Sequence, residues 1–199
     1  MMNKKPHNLQ LLWIERLLAN YDVACAMQYL HHHQIMYRDL KPENIGFDVR
    51  GTAKVFDFGL SKELLAKDKI GENQYNASGR TGTRRYMAPE VVLCKYYGKP
   101  VDVYSFAIVF WQTLSLDIPF DGYDYEKHSK NVVQKHKRPS LGKDWPTLVK
   151  RMIKKAWDND PRERPNFDQI CATIRGELHD HVDVATRTQH LLDGSRTFH

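Results

Sequence analysis

Cysteine is scarce in this chain: Cys25, Cys94 and Cys171 are the only three in 199 residues. They are widely spaced and form no C-x-x-C pair. That excludes a disulfide framework or a zinc site of the usual spacing and fits a reducing compartment. Long apolar runs are missing too, since no stretch approaches the ~20 residues a membrane span needs. The apolar patch near the start is broken by Glu15 and Arg16, charges a secretory h-region would not carry, so it reads as a helix start. No two of the 11 glycines stand two apart, so the chain has no G-x-G-x-x-G phosphate cradle. No internal repeat appears. What is present is the composition of a globular chain, 41% apolar and 11% aromatic, long enough for one sizeable core. The net charge of +6 gathers at residues 127–138 and 150–155. Nucleic acid or acidic lipid would suit such clusters, but solvated helix faces explain them as well, and we expect no nucleic-acid partner.

The most informative stretch is Y-R-D-L-K-P-E-N at residues 37–44, read together with D-F-G at 57–59. Between them, Ile45-Gly46-Phe47 and Thr52-Ala53-Lys54-Val55-Phe56 flank a polar turn, Asp48-Val49-Arg50-Gly51. Two short apolar runs around a turn ending in Gly predict a β-hairpin. Asn44 stands just before its first strand and Asp57 just after its second, so the two meet across the open end, roughly 5 Å apart at the backbone. An amide oxygen beside a carboxylate, with room for water and phosphate, suits magnesium better than zinc. Asp39 and Lys41 hang on the loop that feeds the same end.

This set, with Met87-Ala88-Pro89-Glu90 downstream, resembles the catalytic loop, metal motif and A-P-E motif of the eukaryotic protein kinases. The resemblance implies roles. Asp39 would accept the substrate hydroxyl's proton and Lys41 would steady the transferring phosphoryl group. Asn44 and Asp57 would hold Mg2+ ions on the ATP phosphates. Lys41, Glu43, Asn44, Gly46 and Asp57 would line the nucleotide side, although the family usually has Leu at the Gly46 position as the floor of the adenine pocket. Tyr37 takes the place of the usual His and keeps a large ring for the core, with Phe58 and Gly59 completing the structural frame. Arg38 would receive a phosphate carried by the activation segment, on Ser78 or Thr81. Thr83 matches the threonine that contacts the catalytic Asp and Lys.

The rest of the chain fits this frame. Ile14, Leu17, Tyr21 and Ala24, widened by Leu18 and Cys25, predict an amphipathic helix running to the triplet His31-His32-His33. Consecutive histidines on a helix point different ways, so the triplet reads as a helix end and not a metal site. Residues 61–85 read as a long polar loop, the activation segment of the resemblance. Residues 101–114 are apolar nearly all round and predict a buried helix. Asp102 near its start would then be a carboxylate in the core that needs donors. The resemblance gives it the catalytic-loop backbone. Residues 145–157 predict another amphipathic helix, with Val149, Met152, Ile153 and Ala156 inward. Arg164 resembles the family arginine that pairs with the A-P-E glutamate, here Glu90. A last helix carries Phe167, Ile170, Cys171 and Ile174, and beyond about Asp180 a polar, frayed tail is expected.

The resemblance covers residues 11–178 and corresponds to the larger, C-terminal kinase lobe. We therefore expect a mainly α fold with a small β-hairpin at the catalytic end and no N-terminal β lobe. Residues 1–178 would be the kinase portion and 179–199 the tail. The implied function is a protein serine/threonine kinase acting on protein substrates with ATP and Mg2+. Lys41 matches the serine/threonine loop, whereas Asp102-Val103-Tyr104-Ser105-Phe106 and Arg164-Pro165 resemble the tyrosine-kinase side; together they suggest the tyrosine-kinase-like group. An intracellular location, cytoplasmic or nuclear, goes with this. Without the glycine-rich loop and its lysine, the 199-residue chain alone is expected to be inactive. The competing expectation is a non-catalytic kinase lobe kept as a binding module.

Overall fold

The computed structural model describes residues 5–72, 74–77 and 79–194. The chain opens with α1, Lys5–His32. Its buried positions Leu17, Asn20, Ala24, Met27 and His31 recur in alternating steps of three and four, the spacing of one helix face. Leu18, expected to widen that stripe, points away and is 47% exposed. After a turn the chain forms β1, Ile35–Met36, then the catalytic-type loop and a single 3-10 turn at Pro42–Asn44.

The predicted hairpin is present. Strand β2, Ile45–Phe47, pairs antiparallel with β3, Ala53–Val55, in the register Ile45 opposite Val55. Its turn is made by Asp48, whose side chain accepts from the Arg50 and Thr52 amides at 2.9 and 3.0 Å. Gly51 supplies the positive φ of 78° that the turn requires. Phe56 N donates to Asn44 O at 3.1 Å, closing the open end as the strand geometry requires.

Residues 61–85, expected to be a long polar loop, carry short paired strands. Strand β4, Lys62–Glu63, pairs with β1, and β5, Lys69–Gly71, pairs with β6, Gln74–Tyr75. Tyr75 N also donates to Tyr97 O at 3.0 Å. Polar composition conceals this because such short strands are held by backbone pairing and need no apolar face.

The short α2, Pro89–Val92, leads to α3, Pro100–Ser115. Every residue of α3 from Val101 to Trp111 is buried, as its all-round apolar sequence requires. Around it pack α1, α5 (Thr147–Ala156) and α6 (Phe167–Gly194), with Phe106, Phe110, Phe167, Ile153 and Ile170 at the centre. Before α5 comes α4, Tyr125–His128, which runs into a π-helical turn, Ser129–Gln134. Where a polar, frayed tail was expected beyond about Asp180, α6 continues to Gly194, past the boundary placed at residue 178. No proline interrupts residues 167–194, and nothing in the local sequence stops the helix earlier. Trp13 on α1 donates its Nε1 to His181 on α6 at 3.1 Å, tying the two helices beyond that boundary.

One long-range tie was expected outright. Arg164 meets Glu90 through two charge-assisted bonds of 2.6 and 3.0 Å, both side chains buried. Arg164 also donates to the carbonyls of Asp158 and Pro100, so its remaining donors are not stranded. Among the described residues the strands form only the three two-stranded pairs above, and the fold is mainly helical. No helix among them is long and apolar enough to cross a membrane.

Candidate active site

The loop between β1 and β2 is held from beneath by Asp102, the first-turn carboxylate of α3, which has no solvent exposure. Its oxygens accept from Tyr37 N at 2.9 Å, Arg38 N at 2.7 Å and His31 Nε2 at 2.9 Å. These donors are what a carboxylate needs in such a core. They also hold Arg38 at a φ of 72°, a conformation that costs energy unless the surroundings impose it. The bend positions Asp39, which is only 7% exposed.

Four donors converge on that carboxylate. Thr83 gives Oδ1 its backbone amide and its hydroxyl, each at 2.8 Å. Lys41 Nζ reaches Oδ2 at 2.7 Å, and Asn44 Nδ2 reaches it at 3.2 Å. Lys41 also donates to Thr83 Oγ1 at 3.0 Å, so the loop and residue 83, 44 positions apart, share one network. The close approach depends on Gly82, whose φ is +108° and where a Cβ would sit 2.3 Å from Arg38 O.

Asp57, at the other side of the hairpin's open end, is exposed and adopts a φ of 62°. Its Oδ1 accepts from Gly59 N at 3.2 Å. Tyr37 links the two sides: its hydroxyl donates to Phe56 O, and its ring meets Phe58 edge-on at 5.6 Å. Burial first, then the nearby carboxylates, push the Tyr37 phenol up to about 12, so it stays a neutral donor. Asn44 spends Nδ2 on Asp39 and leaves Oδ1 out of those bonds. Asn44 Oδ1 and Asp57 are hard oxygen donors of the kind a divalent cation takes. Among the described residues no group of three or more His, Cys, Asp or Glu could hold a metal. A divalent cation here would complete its shell with water or phosphate.

The other expected residues fall as follows. A Cβ on Gly46 would meet the Phe56 ring at 3.1 Å, so that ring crowds the space a side chain at 46 would take. Glu43 is exposed on the 3-10 turn, and its charge is felt at Tyr86. Arg38 donates Nε to Leu60 O at 2.6 Å, while its buried Nη1 finds no partner among the described residues. Thr81 lines the same small cavity as Arg38. Ser78 lies outside the described residues.

Sequence reasoning missed His31, which was read only as a helix end. The signal was there, because 17, 20, 24, 27 and 31 continue one helix face. It also missed the cluster around α4. Arg84 lies 3.5 Å from the Tyr125 ring centroid, and His128 is buried edge-on to Phe120 at 5.4 Å. Arg138, expected in a solvated face, is half-buried and donates to the carbonyls of Trp157 and Val132.

Comparison with known proteins gives the family. The family model described as protein kinase domain matches residues 15–174, and the chain belongs to that family. It is 35% identical over 175 residues to serine/threonine/tyrosine-protein kinase HT1 of Arabidopsis thaliana, covering 87% of this chain and 42% of that protein. It is 36% identical over 179 residues to dual specificity protein kinase shkC of Dictyostelium discoideum, covering 88% and 34%. To serine/threonine-protein kinase VIK of Arabidopsis thaliana it is 39% identical over 158 residues, covering 77% and 35%. The chain thus spans less than half the length of each of these relatives. The family uses ATP and a divalent metal.

Proposed function

We propose that this chain is the C-terminal lobe of a protein serine/threonine kinase of the tyrosine-kinase-like group, working with ATP and Mg2+ inside the cell. The observation that carries the reading is Asp39, a buried carboxylate fixed by Thr83, Lys41 and Asn44 at the mouth of a hairpin that ends in Asp57. A fixed carboxylate at the surface of a lobe is suited to take the proton of an acceptor hydroxyl. Lys41, already bridging Asp39 and Thr83, can steady a transferring phosphoryl group without moving far. Asn44 and Asp57 would hold Mg2+, which supplies the positive charge that phosphoryl transfer needs. The lobe assignment is supported by Phe56 and Phe58, exposed at 46% and 51% on either side of Asp57. Apolar groups gathered at a site are what a second lobe would cover.

Arg38, whose Nη1 has no partner among the described residues, lines one small cavity with Thr81, and this supports control by a phosphate on Ser78 or Thr81. The relatives named dual specificity or serine/threonine/tyrosine make the acceptor the first thing to test. The gene product that contains this chain should transfer phosphate from ATP to serine and threonine peptides, and Asp39→Asn should abolish most of it. A preference for tyrosine, or an unaffected Asp39→Asn variant, overturns the reading.

A further inference from the structure

Beside the Asp39 network lies a positive surface that catalysis does not use. Residue 84 follows Thr83, whose amide and hydroxyl both hold the Asp39 carboxylate, so its backbone is one ~3.8 Å step from the site. The Arg84 guanidinium lies over the Tyr125 ring, 3.5 Å from its centroid, and Nη2 donates to Tyr125 O at 3.1 Å. Arg80 approaches the same ring at 5.5 Å and donates Nε to Val92 O at 3.3 Å. Lys127, the third residue of α4, has its Nζ 4.8 Å from the Tyr123 ring centroid and donates to Gly122 O at 3.4 Å. Two arginines and a lysine are thus drawn to aromatic faces and backbone carbonyls, which orient them but leave their charge unneutralised.

Carboxylates are close in sequence, yet none answers these cations. Asp124 spends Oδ1 on the Lys127 amide at the start of α4. Among the described residues no ion pair engages Arg80, Arg84 or Lys127. Arg84 Nε is buried and has no hydrogen-bond partner there. The field is also felt at buried His128, whose ring is held neutral first by burial and then by Arg84, Arg138 and Arg85.

Resting on the kinase reading above, we propose that Arg80, Arg84 and Lys127 around Tyr125 select acceptor peptides that carry carboxylates next to the phosphorylated hydroxyl. A planar guanidinium pre-oriented on a ring offers its free edge to a carboxylate, and such charge-assisted bonds are the strong ones. A peptide with its hydroxyl at Asp39 must place its neighbours within reach of residue 84. The charge would make a basic flank unfavourable there and an acidic one favourable.

The test uses the 199-residue chain and dye-labelled serine peptides read by fluorescence anisotropy. One peptide has alanines on both sides of the serine. Others carry three glutamates before or after it, or three lysines in the same places. One of the two glutamate peptides should bind about tenfold tighter than the alanine peptide, the worth of one charge-assisted hydrogen bond. The gain should shrink as salt rises. Arg80→Glu with Arg84→Glu should remove it, and Arg84→Gln should reduce it, with circular dichroism showing both variants folded. Equal binding of glutamate and lysine peptides overturns the proposal. So does a glutamate preference that survives in the double variant, or a single-stranded oligonucleotide that binds this surface more tightly than the glutamate peptides do. Phosphate transfer by the full gene product is scored separately. Absence of transfer to every peptide, with the glutamate preference intact, fails the kinase reading and leaves the acidic-peptide site standing.

Discussion

Asp39 and Asp57 stand at the same end of one hairpin and live in opposite surroundings. Asp39 is buried and takes hydrogen bonds from three residues, one of them 44 positions away. Asp57 is exposed and accepts from its own neighbour Gly59. The Asp39 side, which in the proposed reading faces an acceptor hydroxyl, is therefore braced within this chain. The Asp57 side, which in that reading faces a nucleotide and its metal, sits on a turn at a φ of 62° and takes a bond from Gly59 N. In the proposed reading this difference separates peptide binding, which the braced side would support, from nucleotide binding, which the exposed side would support only weakly.

The largest effect should come at the braced carboxylate. In the full gene product Asp39→Asn should lower turnover by about 10²–10⁴, the range for a positioned general base. The 199-residue chain alone should show no turnover and at most weak Mg-ATP binding by calorimetry. Micromolar binding with turnover in the ordinary kinase range of about 1–100 s⁻¹ would erase the contrast between the two sides.

Next comes the scaffold beneath Asp39. Arg164→Ala strands Glu90 in the core and should cost about 3–5 kcal/mol, seen as a marked drop in melting temperature. Asp102→Ala should fall in the same class, because it leaves two loop amides and His31 without their acceptor.

Acid should attack the same braced side. His128 is buried with neither ring nitrogen partnered among the described residues, and its pKa is pushed down to about 4 by burial and by three arginines. Its unfolded value is about 6.5. The unfolded chain thus binds the extra proton between these values, so stability is full above about pH 6.5 and falls as the pH drops toward 4. The loss carried by this one ring is up to about 3 kcal/mol, and His128→Phe should flatten that part of a stability-against-pH curve.

The smallest effect belongs to the exposed side. Asp57→Ala should leave the melting temperature within about 0.5 kcal/mol of the parent, as for most surface changes. The same substitution should abolish metal-dependent nucleotide binding in the full gene product. A large loss of stability would mean that Asp57 is braced after all.

Much of this was legible from residues. The hairpin followed from two apolar runs around a Gly-terminated turn, and Asp102 from a carboxylate inside an apolar helix. Thr83 and the Glu90–Arg164 pair followed from the kinase resemblance. What escaped were features whose cause lies far along the chain. Pairing of β4 with β1 depends on Ile35 and Met36, and Tyr75 is placed by Tyr97. Arg84 is defined by a ring 41 residues on, and His128 by guanidiniums from two separate segments. The extent of α6 escaped for a different reason: a polar stretch without period is silent about helix, and docking of Trp13 on His181 helps keep that helix going.

The bracing of Asp39 also sets an arithmetic of lone pairs. An ionised carboxylate offers about four acceptor sites, and Thr83 N, Thr83 Oγ1, Lys41 Nζ and Asn44 Nδ2 take up four bonds. A hydroxyl arriving to give up its proton finds the seat taken and must evict a donor. Thr83's amide is fixed by backbone and Asn44 is buried, whereas Lys41 is a flexible, 21% exposed ammonium that only needs another anion to leave. In the kinase reading a phosphoryl group is that anion. Whatever draws Lys41 away opens the acceptor site on Asp39, so the base becomes free when the group to be transferred is in place.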